Sequence, residues 1–339
     1  MPDLQTAWFL LVGVLLAGYA ILDGFDLGVG ALHLFLAKDD RERRILLNAV
    51  GPVWDGNEVW LLTAGGALFA AFPPVYATVF SGLYLALMLL LAALILRAVA
   101  LEFRSKEESP SWRRFWDGAF AVGSVLPAVL FGVAMGNILR GLPLDAEGEF
   151  AGTFVSLLNP FALLVGLLAL AMVVAQGAAW LHLKTEGALR ERARSAALRA
   201  WWAFVVLWLA ATAASAAAAP RLWGAYGSVL AWVAPATLTA ALLAFRAALV
   251  GGRAGQAFLF SSIAIAALLG IVGQALYPFL VPPLGLASAG ITIYDAASSP
   301  LTLKTMLAIA LLGMPVVVAY TVFIYRRFRG PVVLDEASY

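Results

Sequence analysis

The sequence predicts an all-α polytopic membrane protein with about nine spanning helices, and three observations predict it. Hydrophobic residues make up 63% of the 339 and charged residues only 12%, against about a quarter charged in soluble domains. Mean hydropathy is +0.92. Apolar runs long enough to cross the roughly 30 Å hydrocarbon core, which takes about 20 helical residues, recur from one end of the chain to the other. These runs are continuous and do not alternate like strands of about ten residues, so helices that satisfy their own backbone groups in lipid are predicted over a barrel. No stretch is left for a soluble domain, and residues 1–339 read as a single transmembrane domain.

The predicted spans are 6–36, 53–72, 75–99, 117–139, 157–182, 201–219, 226–248, 257–280 and 303–325. The first is read as a retained helix: residues 1–5 hold an acid and no Lys or Arg, and the run that follows exceeds a signal-peptide core and has no clear cleavage site. Pro73 and Pro74, after Phe72, predict a tight turn between the second and third spans, because proline has no N–H to give a helix ladder. Gly24 with Gly28, and Gly132 with Gly136, form GxxxG pairs, and the sixth span carries the alanine run 216–219. Small residues so spaced let helices approach closely. Trp8, Trp60, Trp180 and Trp223 lie near predicted helix ends, where interfacial anchoring is expected. No internal repeat or low-complexity linker divides the chain.

With nine spans, the 22 Lys and Arg fall on one side in every case but three, Arg140, Arg221 and Lys304. Cations are retained on the cytoplasmic side, so the N-terminus is expected outside and the C-terminus in the cytoplasm. Net charge is +2, but in a membrane protein its distribution means more than its sum, and nucleic acid is not an expected ligand. The absence of cysteine excludes disulfides, thiolate-held clusters and a cysteine nucleophile.

Ionisable groups at membrane depth cost several kcal/mol unless paired or hydrated, so each is a functional candidate. Asp23 and Asp26 stand three residues apart on one helical face, with His33 seven residues further. Asp55 and Glu58 repeat that spacing at the head of the second span, beside Trp54. Two acidic faces on adjacent helices suggest a proton entry path, in which a desolvated carboxyl takes a proton and passes it on. The structural alternative is pairing with a buried arginine such as Arg97, or capping: Asp55 falls in the first helical turn, where the dipole favours an anion. Arg97 and Asp117 are predicted on the same side and are candidates for an ion pair. Asp295, in an outer loop, suits a helix cap or a partner contact. Two histidines and a handful of methionines are too few axial ligands for several haems, and no metal site is expected.

Several motifs carry a resemblance. They are Asp23-Gly24-Phe25-Asp26-Leu27-Gly28-Val29-Gly30, Trp54-Asp55-Gly56-Asn57-Glu58-Val59-Trp60-Leu61 and Thr63-Ala64-Gly65-Gly66-Ala67-Leu68-Phe69-Ala70-Ala71. Phe103-Arg104-Ser105-Lys106, Gly132-Val133-Ala134-Met135-Gly136-Asn137, Leu158-Asn159-Pro160-Phe161 and Tyr294-Asp295-Ala296 add to them. The chain resembles, nearly end to end, subunit II of bd-type terminal quinol oxidases.

The resemblance implies two four-helix bundles plus one peripheral helix, packed against a similarly folded subunit I. That subunit would hold two b-type haems, one d-type haem and the quinol-oxidising loop, and the complex would reduce oxygen to water electrogenically, without pumping, in a bacterial inner membrane. This chain would be a scaffold and proton inlet, with Asp55 beside Trp54 in a cytoplasmic proton channel, and would carry no catalytic residue of its own. Asp26, Arg97 and Asp117 match positions linked to function or assembly. A bound quinone, surrounding lipid and a small single-helix subunit are compatible partners. The chain departs from some relatives in having Glu58 where they have glutamine, and in a short connection between the sixth and seventh spans. A stand-alone proton-coupled secondary transporter is the competing expectation, since such carriers also use buried acids and glycines.

Overall fold

A computed structural model describes residues 3–145, 148–284 and 290–334 of the chain. Eleven α-helices run through them: α1 (Leu4–Leu36), α2 (Asp40–Val50), α3 (Trp54–Ala71), α4 (Pro73–Gly82), α5 (Tyr84–Phe103), α6 (Pro110–Arg140), α7 (Pro160–Lys184), α8 (Gly187–Ala218), α9 (Val233–Val250), α10 (Ala254–Leu276) and α11 (Pro300–Arg327). A two-stranded antiparallel ribbon, β1 (Phe279–Val281) with β2 (Ile291–Thr292), precedes α11.

Eight helices among the described residues are long and apolar enough to cross a membrane. The second predicted span, α3, is not one of them, because its 18 residues open with Asp55, Asn57 and Glu58. The third is divided: Pro73 starts α4, and the chain restarts at Tyr84 after Leu83 leaves helical geometry. Residues 40–50, expected as connecting chain, form α2, which buries Leu46, Leu47, Ala49 and Val50. Helix starts follow local chemistry. Asp3, Asp39, Asn159 and Ser299 each accept a backbone N–H two or three residues into their helices. Proline sits at the first helical position of α4, α6, α7 and α11, where its missing N–H costs nothing.

Helices α1, α3, α5 and α6, with α4 continuing α3 into α5, make one bundle, and α7 to α10 make the second. They join where α1 and α6 pack on α7, and α11 lies at the periphery, packing mainly on α1 and α3 among the described residues. The glycine pairs show why the seam is tight. A Cβ on Gly28 would overlap the Val173 carbonyl on α7, and Gly28 faces Gly177 there. Gly132 and Gly136 meet Gly166 and Ala162 in the same way, whereas Gly24 has only Val173 Cγ1 at 3.6 Å. Two resemblance motifs meet at the end of this seam: Asn137 Nδ2 donates to the Leu157 carbonyl at 2.8 Å, and Asn159 Nδ2 donates to Asn137 Oδ1 at 2.9 Å.

Two of the tryptophans expected as interfacial anchors are instead interior. Trp8 is buried, with its indole N–H on the Leu303 carbonyl, and Trp180 is buried on the Ala49 carbonyl, stacked against Phe25. Asp295 caps no helix: it accepts from the Thr292 hydroxyl at 2.5 Å, and Ser299 caps α11.

Gly28→Ala should destabilise the folded chain by about 1–3 kcal/mol or more, because the added methyl meets backbone that cannot yield. Gly13→Ala, with open space around it, should be neutral. Thermal midpoints of the detergent-solubilised protein check the contrast.

Candidate functional site

The middle of α1 carries Asp23 and Asp26 into the protein interior, 0% and 2% exposed. Arg97 of α5, itself 0% exposed, meets the first of them: its Nη1 donates to Asp23 Oδ1 at 2.8 Å, while Nη2 donates to Glu58 Oε2 on α3 at 3.2 Å. The planar fork of a guanidinium suits this two-sided contact, and three helices are pinned by one cation. Asp26 has a neutral partner. Asn57 Nδ2 donates to Asp26 Oδ2 at 2.8 Å, and Asn57 Oδ1 accepts the Tyr325 hydroxyl of α11 at 2.9 Å. The second oxygens, Asp23 Oδ2 and Asp26 Oδ1, are buried without a hydrogen-bond partner.

A second cluster closes the end of the bundle where the cations concentrate. Asp117 on α6 accepts from Arg104 Nε at 2.5 Å and Arg43 Nη1 at 3.0 Å, and lies 2.6 Å from His33 Nε2. Arg104 also reaches Asp40, which in turn holds Arg113. The expected Arg97–Asp117 pair does not form. Helix α5 runs on past Arg97 to Phe103, so Arg104, at the helix end, meets Asp117 while Arg97 turns inward. The stripe of Asp23, Asp26 and His33 is likewise split: the two acids face α3 and α5, and the imidazole faces α6.

Asp55 and Glu58 part company. Glu58 turns in toward Arg97, but Asp55, in the first turn of α3, is exposed and forms no ion pair among the described residues. Trp54 beside it is half-buried against the core. The inventory read from the sequence lacked Asn57 and Tyr325. Asn57 lies inside the motif around Asp55, and its position between two acids was the available signal. Tyr325 had none, since a tyrosine at a helix end reads as an interfacial anchor.

The two imidazoles do not fit an axial-ligand role for a haem. His33 is spent on Asp117, and His182, 1% exposed, is enclosed at the end of α7 with Nδ1 toward the Arg190 carbonyl. A separate apolar cleft of about 660 Å³ opens between the bundles, walled by α1 and α6 to α10, with the Tyr19, Thr212, Ser215 and Tyr226 side chains among its lining.

These features define a polytopic helical membrane protein that holds carboxylates deep inside its bundle around a single guanidinium. The chain belongs to the family described as cytochrome bd terminal oxidase subunit II, whose model matches residues 4–328. It is 39% identical to the cytochrome bd-I ubiquinol oxidase subunit 2 of Escherichia coli strain K12, over 98% of this chain and 96% of that one. It is 34% identical to the cytochrome bd ubiquinol oxidase subunit 2 of Bacillus subtilis strain 168, over 97% of each. The bd oxidase structure from Geobacillus thermodenitrificans shares the fold, with a TM-score of 0.77 at 20% identity, covering 96% of this chain and 98% of that one.

Arg97→Gln should destabilise the protein by about 3–5 kcal/mol, because buried Asp23 and half-buried Glu58 lose the one cation paired with them among the described residues. Glu58→Gln, at the more open end of the contact, should cost far less. Chemical or thermal unfolding of the two variants checks the order.

Proposed function

We propose that this chain is the non-haem subunit II of a bd-type quinol:oxygen oxidoreductase of the aerobic respiratory chain. In this reading it scaffolds a haem-bearing subunit I and supplies protons to it from the cytoplasm. The observation that carries the reading is the family match, which runs through both bundles and the peripheral helix. Subunit I would hold two b-type haems and one d-type haem, which would supply the electron transfer and the oxygen reduction. The residues of this chain bind that partner, exclude water and move protons.

Asp55 is the inlet. It stands exposed at the head of α3, with Trp54 behind it and an aqueous phase in reach if the cation-rich ends are cytoplasmic. Its carboxylate takes a proton from that phase and releases it toward the partner. Glu58, a turn away on α3 and held by Arg97, is the next carboxylate on this path. Asp23, Asp26 and Asp117 hold the helices in the register that presents Asp55. Quinol oxidation releases protons outside while oxygen reduction consumes protons from inside, so the inlet generates membrane potential without pumping.

The protein sits in the inner membrane with its N-terminus outside and its C-terminus in the cytoplasm. The 660 Å³ apolar cleft suits a quinone tail or a lipid chain, and the uncovered face of α11 leaves room for lipid or a small single-helix subunit. Nothing in the fold favours the transporter reading, since the two bundles meet along one tight glycine seam and not around a shared polar site.

Asp55→Asn should lower quinol oxidase turnover per haem by about tenfold or more with haem content unchanged, and Asp55→Glu should recover part of it. Normal turnover in Asp55→Asn would overturn the inlet, and loss of haem content in place of turnover would make the acid structural. A fluorescent protein fused after the C-terminus should mature, whereas an alkaline phosphatase fused there should stay inactive.

A further inference from the structure

At the cation-rich end, the chain that follows α11 folds back over the helices. The Val332 N–H donates to the Lys184 carbonyl at 2.9 Å, and Lys184 Nζ donates to the carbonyls of Phe328 and Gly330 while lying 5.1 Å from the centre of the Trp180 ring. Beneath this strap lies a cavity of about 450 Å³, walled by Val53, Trp180, Lys184 and Tyr325 with Arg327 and Val333 at its edge. It has room for several water molecules and polar groups to hold them. Tyr325 is its inner wall. The tyrosine ring packs edge-on against Trp180 and Phe25, and its hydroxyl donates to Asn57, the amide that binds Asp26. Two hydrogen bonds therefore separate the cavity from a buried carboxyl whose Oδ1 has no partner.

We infer that this cavity is a second aqueous approach to the buried acids, with the Tyr325–Asn57 hydrogen bond as its gate and Asp26 as the group that exchanges protons there. The groups facing Asp26 are Asp23 on its own helix, Asn57 and Glu58 on α3, Arg97 on α5 and Tyr325 on α11. The one guanidinium among them already donates to Asp23 and Glu58, so the positive charge available to Asp26 is a proton. When the tyrosine hydroxyl swings off Asn57, water from the cavity reaches Asp26. An O–H bond of hydronium breaks, a new one forms on Asp26 Oδ1, and neutral water remains. Tyr325 is a positioning residue, acting through Asn57. The inference rests on the proton-supply reading of this subunit but not on Asp55.

The chain contains no cysteine, so Val333→Cys, at an exposed site on the cavity edge, places a single thiol there. The assembled oxidase with this variant should turn over normally until a bulky, charged methanethiosulfonate plugs the cavity, with unsubstituted oxidase as the reagent control. Infrared spectroscopy in deuterated buffer then follows the carboxyl C=O band that Asp26→Asn removes. The plug should slow its exchange about tenfold, Tyr325→Phe should speed it with the complex still assembled, and Asp55→Asn should leave it unchanged, since exchange through a gate follows the population of its open form.

Exchange unaffected by the plug, exchange slowed equally by Asp55→Asn, or no Asp26 carbonyl band across the neutral range would each overturn the inference. If Asp26→Asn does not assemble, the turnover left in Asp55→Asn answers instead: loss on plugging supports the cavity route, and no change overturns it. Full turnover in Asp55→Asn alone would refute the Asp55 inlet and leave the cavity route to be judged by the plug.

Discussion

The buried guanidinium of Arg97 is the constraint on which the rest of the first bundle depends. A cation with 0% exposure must be matched by carboxylates, and Asp23 from α1 and Glu58 from α3 supply them at 2.8 and 3.2 Å. Helix registers follow, since sliding any one of the three by a residue would leave a charge unpaired in a low-dielectric interior. The close packing behind Arg97 follows too. A Cβ on Gly123 of α6 would stand 2.8 Å from the Arg97 nitrogen and 2.7 Å from the Ala93 carbonyl, so only glycine lets α6 press α5 toward the acids. Gly30 does the same between α1 and α6, where a Cβ would overlap the Ser124 side chain.

Along α1 the polar groups form a sequence of stations joined by other helices. Asp23 looks to α5, Asp26 to α3 and through Asn57 to α11, and His33 to Asp117 on α6. Asp26 lies about 15 Å along the helix from its end at Leu36, and the Asp117 cluster closes that end with three arginines within three ion-pair steps. A charged plug at the end and a sparsely solvated group in the middle make the interior reachable only at defined points. The proposed proton supply would need this, because a freely hydrated bundle would dissipate a membrane potential.

The second bundle contributes differently. The middle of its seam with α1 and α6 is made of Gly28, Gly177, Gly132, Gly136 and Gly166, with Gln176 bonding Ser261, Ser262 and the Ile21 carbonyl, and the other polar contacts, such as Asn159 with Asn137 and Arg192 with the Leu36 carbonyl, lie toward its ends. Close backbone approach replaces ion pairing there, the economical choice in lipid, where apolar surface gains nothing by leaving it. The outward faces of α3, α5 and α11 are apolar, with Leu62, Phe69, Leu91, Ile95, Leu312 and Phe323 all exposed.

Much of this was legible in the sequence. Continuous apolar runs determined an all-helical membrane fold, because length and hydropathy are properties of each segment alone. Asp23 and Asp26, three residues apart, marked α1 as a carrier of buried charge, and the motifs identified the family. The sequence also determined the glycine pairs, of which Gly28 proved decisive and Gly24 did not. Only the tertiary structure decided who meets whom. Arg97 and Arg104 sit seven residues apart on one helix run and look alike in the sequence, yet one is drawn to Asp23 on α1 and the other to Asp117 on α6, because helix length and crossing geometry set how far each side chain reaches. The same holds for Tyr325, 268 residues from Asn57 in the chain. No local pattern encodes a contact between two helices whose separation is settled by everything packed between them.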